Sequence, residues 1–379
     1  MYILIISGGF PSEKYPLNGI FAYDQAKALA ALGHKIIFAA VDLRSIRRKR
    51  KWGVKTFDSN NITVVEINLP IGRAGNQILD FTGKKALRYL YKRIIAKWGK
   101  PDVIHAHFLN AAVIAADLSE REKIPLVITE HSSKMNQTIV SKHDIDRAKY
   151  AYSKAERIIS VSKSLCDMIK YHTGFESSIL PNIVDLDTFN YQGSKKNMAE
   201  EFVFISVGNL IKTKGFHLLI DAFSEVIKIH PNCILKIFGG GSEYNLLLRQ
   251  IKEKKIEDKI TLLGRQKRTL IAEEFSKSNV FVLPSMTETF GVVYIEAMAS
   301  GLPVIATQCG GPEDFVNNEI GILVPVNNVE ALVNAMLDMM QNYEKYDRNA
   351  ISIYTKESFS PKKIAGELIE IYQNIINEK

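Results

Sequence analysis

Short apolar runs that end in polar, glycine-bearing turns recur along the chain, separated by longer stretches with apolar residues at helical spacing. Residues 2–7, 35–41, 63–67, 102–106, 126–129 and 157–161 are runs of this kind in the first half. Residues 201–207, 233–238, 260–263, 280–283 and 304–306 repeat the pattern in the second. Runs this short and this apolar read as strands buried on both faces. Between them, 19–32 places Phe21, Gln25, Ala28, Leu29 and Leu32 on one side, and Gly33 ends it. A helix with Leu219, Ala222, Phe223, Val226 and Ile227 follows the loop 208–215, and others are predicted over 292–299, 329–340 and 361–376. Strand and helix in alternation predict α/β architecture with parallel doubly wound sheets.

A length of 379 residues exceeds what one core organises, so two domains are expected. The polar stretch 192–200 lacks periodicity and marks the linker between them. With 46% hydrophobic and 24% charged residues the chain is of the ordinary globular class. No run has the length of a membrane span, and residues 1–7 lack the basic start of a signal peptide. Cys166, Cys233 and Cys309 match no metal spacing and are expected to be packing residues in a reducing cytoplasm.

The chemistry is concentrated in 284–314. Here a strand enters a polar loop carrying Glu288, Phe290 and Gly291, and an apolar helix follows with Glu296 in its early turns. A helix N-terminus at the carboxyl end of a strand suits a phosphate, and a carboxylate within a turn or two suits the hydroxyls of a ribose. Glu296 as a merely solvated helix residue fits poorly with its apolar neighbours Ile295 and Ala297.

The Glu288-x7-Glu296 spacing, Phe290-Gly291, the run 296–299 and the turn 310–313 together resemble the donor-binding signature of retaining glycosyltransferases of family four. That resemblance implies two Rossmann-like doubly wound parallel-sheet domains facing a central cleft, the GT-B architecture. Residues 1–190 would take the acceptor and 191–358 the nucleotide-sugar donor, and 359–379 would return as a helix to the first domain. It implies that Glu288 contacts the donor sugar, that Glu296 holds the ribose, and that His131 also reaches the sugar. In the loop 208–215 many members have arginine after Gly208. Here the residue is Asn209, so the diphosphate would fall to Lys214, with Lys212 or Arg265 compensating. The Gly239-Gly240-Gly241 turn would approach the nucleotide. Gly9, Gly19 and His107, at the ends of the first domain's early strands, are expected on the acceptor side. The first turn lacks Gly-x-Gly-x-x-Gly, so dinucleotide binding has no support.

Asp144-x-Asp146 and Asp185-x-Asp187 match a metal-binding triplet, but such matches are common by chance, and no catalytic metal or cofactor is expected beyond the sugar nucleotide. A sugar-nucleotide epimerase, a phosphorylase and a non-catalytic nucleotide-sugar binding protein are the alternatives on one scaffold.

The net charge of +8 is unevenly spread: residues 1–190 hold 28 Lys+Arg against 18 Asp+Glu. Arg44 to Lys55 and Lys84 to Lys100 are acid-free basic blocks, which favours an anionic partner. No aromatic-interleaved motif points to nucleic acid. In the second block Leu87, Leu90, Tyr91, Ile94 and Ile95 share a helical face, and Trp52 and Trp98 close the two blocks. The expectation is a basic amphipathic helix on the anionic inner face of a membrane, and a glycan or lipid-linked acceptor in bacterial surface polysaccharide assembly.

Overall fold

Eight strands, β1 (Tyr2–Ser7), β2 (Lys35–Leu43), β3 (Gly53–Ser59), β4 (Ile62–Leu69), β5 (Val103–His107), β6 (Leu126–Glu130), β7 (Arg157–Ser160) and β8 (Ser178–Ile179), form the first sheet in the order β3-β4-β2-β1-β5-β6-β7-β8. Six more, β9 (Phe202–Val207), β10 (Cys233–Phe238), β11 (Ile260–Leu262), β12 (Val280–Leu283), β13 (Val304–Thr307) and β14 (Gly321–Val324), form the second in the order β11-β10-β9-β12-β13-β14. The computed structural model describes residues 1–47, 51–193 and 201–378. Arg48, Lys49 and Arg50 of the first basic block, and most of the expected linker 192–200, lie outside the described residues.

Met1–Ile183 with Pro361–Lys379 make one compact unit and Val184–Ser360 the other. The first unit extends only to Ile183, short of the polar stretch that composition singles out. Leu180 and Ile183 belong to its core, and the Leu180 N–H donates to the Ser160 carbonyl at 2.9 Å. The second unit closes its own two ends, because the Val184 N–H donates to the Phe359 carbonyl at 3.0 Å.

All ladders of both sheets are parallel except β3 with β4. Among the parallel strands of each sheet the order reverses at one place. β1 lies between β2 and β5, and β9 between β10 and β12. Ligands of open parallel sheets bind outside the carboxyl ends at such reversals. In the first unit that singles out the loops after β1 and β5, and in the second the loops after β9 and β12.

The last helix, Pro361–Asn377, packs Ile364, Ala365, Leu368, Tyr372 and Ile375 into the core that also holds Ile3, Phe38 and Val127 of the first sheet. The helix Asn76–Trp98 carries the second basic block, and its apolar face corrects an expectation. Leu87, Leu90, Tyr91 and Ile94 are buried, since the helix covers β2, β4 and its neighbour Phe108–Glu122. Only Ile95 of that face is exposed, so the face expected on a membrane is core. None of the described helices is long and apolar enough to cross a membrane.

Candidate active site

In the second unit the turns after β9 and β10 meet backbone to backbone. Gly239 has φ +151°, and a Cβ there would lie 1.8 Å from the Gly208 carbonyl oxygen. Only glycine allows this approach. The Gly208 N–H donates to Phe238 O at 3.0 Å and the Leu210 N–H to Gly240 O at 3.2 Å. Arg265 lies across this corner, with its Cγ and Nε 2.9 Å from where a Gly240 Cβ would stand. Asn209 is exposed beside it. Gly208, Asn209, Gly239, Gly240 and Arg265 therefore share one corner of the sheet's carboxyl edge.

The adjoining corner carries the charges. Lys214 ends a single 3-10 turn, Lys212–Lys214, and its Nζ pairs with Glu288 Oε1. Ser285 Oγ donates to the same oxygen at 2.9 Å. Lys212 is exposed. The Glu288 backbone is clamped to the loop after β13, donating to Cys309 O at 3.1 Å and accepting from Gly311 N–H at 3.0 Å. The Met286 N–H donates to Thr213 O at 2.8 Å, which holds the lysine turn against the loop of the glutamate. Gly291 then caps the helix Val292–Ala299 with no side chain on its first N–H groups, so that end is open to an anion. Phe290 is buried against Phe315 and Phe359, with ring centroids 5.3 and 5.8 Å away. At that position the loop can offer a ligand backbone, not a ring. Glu296 stands apart from the lysine and accepts from Arg268 Nη2 at 2.5 Å.

In the first unit Gly9 and Gly19 lie against each other, a Cβ on Gly19 falling 2.2 Å from Gly9 O. The loop between them is tied down by Asn18, whose amide donates to Asp42 at 3.1 Å, while Arg44 pairs with Asp42 at 3.0 Å. His107 ends β5, His131 follows β6, and the two meet, Nδ1 to Nε2, at 3.1 Å. Phe21 stacks on His131 at 5.4 Å, and Phe108 approaches it at 4.8 Å. His107 Nε2 and His131 Nδ1 are buried with no hydrogen-bond partner. His131 follows Glu130, whose Oε1 accepts from the His131 and Ser132 N–H groups at 3.0 and 2.9 Å. Thus His107, expected on the acceptor side, and His131, expected on the sugar, form one buried pair.

Burial fixes the protonation of this cluster. It holds His105 and His131 down to about 3 and His107 well below its ordinary 6.5. It raises Glu130 to about 7. Unfolded, each histidine takes up a proton below about 6.5, so their contribution to stability is complete above that pH and is lost as pH falls. Glu130 runs the other way, its burial costing most above pH 7 and less towards 4.5. Three groups outweigh one. The first unit is expected to melt at a lower temperature at pH 5 than at pH 7, and His107→Asn to shrink the difference. Equal Tm values at both pH values would contradict this.

The metal-like triplets are otherwise engaged. Ser141 caps the helix Lys142–Tyr152, its hydroxyl accepting from the Asp144 N–H and donating to Asp144 Oδ2 at 2.6 Å. Asp144 pairs with Lys134 at 2.5 Å, and Asp185 accepts from Thr188 Oγ1 at 2.8 Å. Among the described residues no three His, Cys, Asp or Glu side chains converge as a metal site. Burial pushes the Cys233 and Cys309 thiols up to about 11 and about 12, so neither is a ready nucleophile. Ser285, Arg268, Glu130, Asn18 and Asp42 carry no role in the sequence reading, and Arg44 enters it only as part of the first basic block. Arg268, Asn18, Asp42 and Arg44 meet partners or neighbours distant in sequence, and Ser285 and Glu130 are common polar residues that no local signal separates from a surface residue.

The family described as Glycosyl transferases group 1 matches residues 188–357, and that described as Glycosyltransferase Family 4 matches 19–188. The chain belongs to the family-four glycosyltransferases. A relative, the putative teichuronic acid biosynthesis glycosyltransferase TuaC of Bacillus subtilis, is 26% identical over 402 residues, covering 98% of this transferase and 94% of the relative. Sucrose-phosphate synthase from Thermosynechococcus elongatus superposes with a TM-score of 0.81 at 22% identity, over 100% of both chains. Anabaena HepE in complex with UDP-glucose does so with a TM-score of 0.73 at 19% identity, over 99% of this transferase and 100% of that chain. At these identities the two structures share with this transferase the fold, that of GT-B glycosyltransferases.

Proposed function

We propose that this transferase moves a hexose-type sugar from a nucleoside diphosphate to a glycan or lipid-linked acceptor, with retention of anomeric configuration and without a metal. The observation that carries the reading is the Lys214–Glu288 pair beside the uncapped end of Val292–Ala299. Lys214 and the open N–H groups suit a leaving diphosphate, and the Glu288 carboxylate suits the hydroxyls of the sugar it carries. Glu296 accepts from the ribose. In this reading the bond from the anomeric carbon to the diphosphate oxygen breaks as the acceptor oxygen attacks on the same face. The acceptor's proton passes to the departing phosphate. HepE's complex with UDP-glucose supports a sugar nucleotide as donor, and TuaC's name supports a polysaccharide product. The exposed Lys85, Lys92, Arg93 and Lys97 of the first unit suit an anionic acceptor, free or lipid-linked.

The two glutamates provide the test. Glu296→Ala is expected to weaken binding of the bare nucleoside diphosphate by ten- to a hundredfold, about the loss of hydrogen bonds to a charged group. Glu288→Ala is expected to leave that affinity within about threefold and depress turnover instead. Calorimetry with the nucleotide, and turnover with the sugar nucleotide that most raises Tm, separate the two. Equal losses of affinity in both variants, or an inverted product anomer, overturn the assignment.

A further inference from the structure

Glu296 does not stand alone on its helix. Arg268, the first residue of the helix Arg268–Ser276, donates from Nη2 to Glu296 Oε1 at 2.5 Å. Its Nη1 lies 3.6 Å from Asp185 Oδ2, and its guanidinium rests 5.1 Å from the Phe189 ring. Each of those two supports is fixed in turn. Asp185 accepts from Thr188, and Phe189 is fully buried, its ring 5.9 Å from Phe275 of Arg268's own helix. One guanidinium is therefore held on three sides, by the ribose-binding candidate and by two residues of the segment that opens the second unit.

We propose that Arg268 is a positioning residue for the nucleotide ribose, acting through Glu296. The inference rests on the reading of Glu296 given above. A carboxylate has about four lone-pair directions, and a single N–H from Arg268 occupies one. Its two oxygens can accept from ribose hydroxyls as well, on a carboxylate that the Arg268 guanidinium holds in one rotamer. Ordering the acceptor before the ligand arrives removes an entropic cost from binding. Lysine could not substitute, because the role needs a planar fork that reaches two carboxylates while stacking on a ring.

The probes are uridine, adenosine and guanosine diphosphates, and the 2′,3′-dideoxy form of whichever binds, measured by calorimetry. The wild-type chain is expected to prefer the ribo form by ten- to a hundredfold. Arg268→Met is expected to shrink that ratio severalfold while leaving affinity for the dideoxy form unchanged. Arg268→Met with Glu296→Gln is expected to be no worse than Glu296→Gln alone. Asp185→Asn, which keeps the Arg268–Glu296 pair but weakens its anchor, should shift the ratio in the same direction by less, and Arg268→Lys serves if the methionine variant does not fold. A wild-type ratio in a folded Arg268 variant overturns the inference and leaves the role of Glu296 standing. Equal weakening of both nucleotides also overturns it, since Arg268 would then touch the diphosphate or serve the fold alone. No preference for ribose in the wild type removes the reading of Glu296 and the inference together.

Discussion

Lys214→Ala is expected to lower kcat by about a hundred- to a thousandfold, the size of effect seen when one preorganised donor to developing negative charge, such as that of an oxyanion hole, is deleted. Two losses coincide in this variant. The ammonium that would meet the departing diphosphate is gone, and Glu288, only 8% exposed, loses its paired cation. The carboxylate keeps the Ser285 hydroxyl and its backbone clamps, so the loop is expected to hold its place. The loss should therefore fall on turnover more than on the melting of the second unit. Ser285→Ala is the control, removing one neutral donor to the same oxygen at a cost of about a kcal/mol in stability. Steady-state kinetics on both variants decides the matter, and a Lys214→Ala enzyme within tenfold of wild type would reject the leaving-group role.

Ending the chain at Ser360 is expected to unfold the first unit and spare the second. The missing helix supplies Ile364, Leu368 and Ile375 as fully or almost fully buried aliphatics, and the buried Tyr372. Large aliphatics cost about 2–5 kcal/mol each when cut back to alanine, so three of them rival the 5–15 kcal/mol by which a whole domain is stable. Tyr372 also gives His105 a hydroxyl partner at 2.6 Å, and its loss leaves a buried imidazole nitrogen unsatisfied. The second unit keeps its own aromatic core of Phe204, Phe223, Phe281 and Tyr294. Hydrogen exchange resolved along the chain would show protection lost across β1 to β7 and retained across β9 to β14. Protection retained in both would contradict the prediction.

What the sequence shows of this protein is what local pattern can carry. The run Val280–Leu283 is apolar on both faces because the strand is buried on both, and the glycines after β9 and β10 mark turns whose backbones touch. The pair of Lys214 with Glu288 was approachable because each residue sits in a motif of its own. Strand Gly53–Ser59 was not legible. It is a half-exposed edge strand with Lys55, Thr56 and Asp58, and its ladder with β4 is antiparallel, so its sequence reads as part of a charged loop. The helix Asn76–Trp98 shows the other limit. Its periodicity identified an apolar face correctly, but periodicity says nothing of whether lipid or protein covers that face. Arg268 is the sharpest case, since its contacts with residues 185, 189 and 296, all distant in sequence, distinguish it from a surface arginine.

The hydrogen bond between Val184 and Phe359 bears on how the first unit comes together. Its core is finished by a helix that follows the first unit's other elements in the chain only after the whole of Val184–Ser360 has intervened. Taken as an open coil, so long an excursion would oppose docking through the entropy of closing it. Once the intervening unit has folded, its entry and exit points are neighbours at 3.0 Å, and Ile183 and Pro361 are presented almost as though joined by a tight turn. The late helix then closes onto β1 and β5 as a local event. The inserted unit thus acts as a staple, holding together the two ends between which the interrupted unit is split.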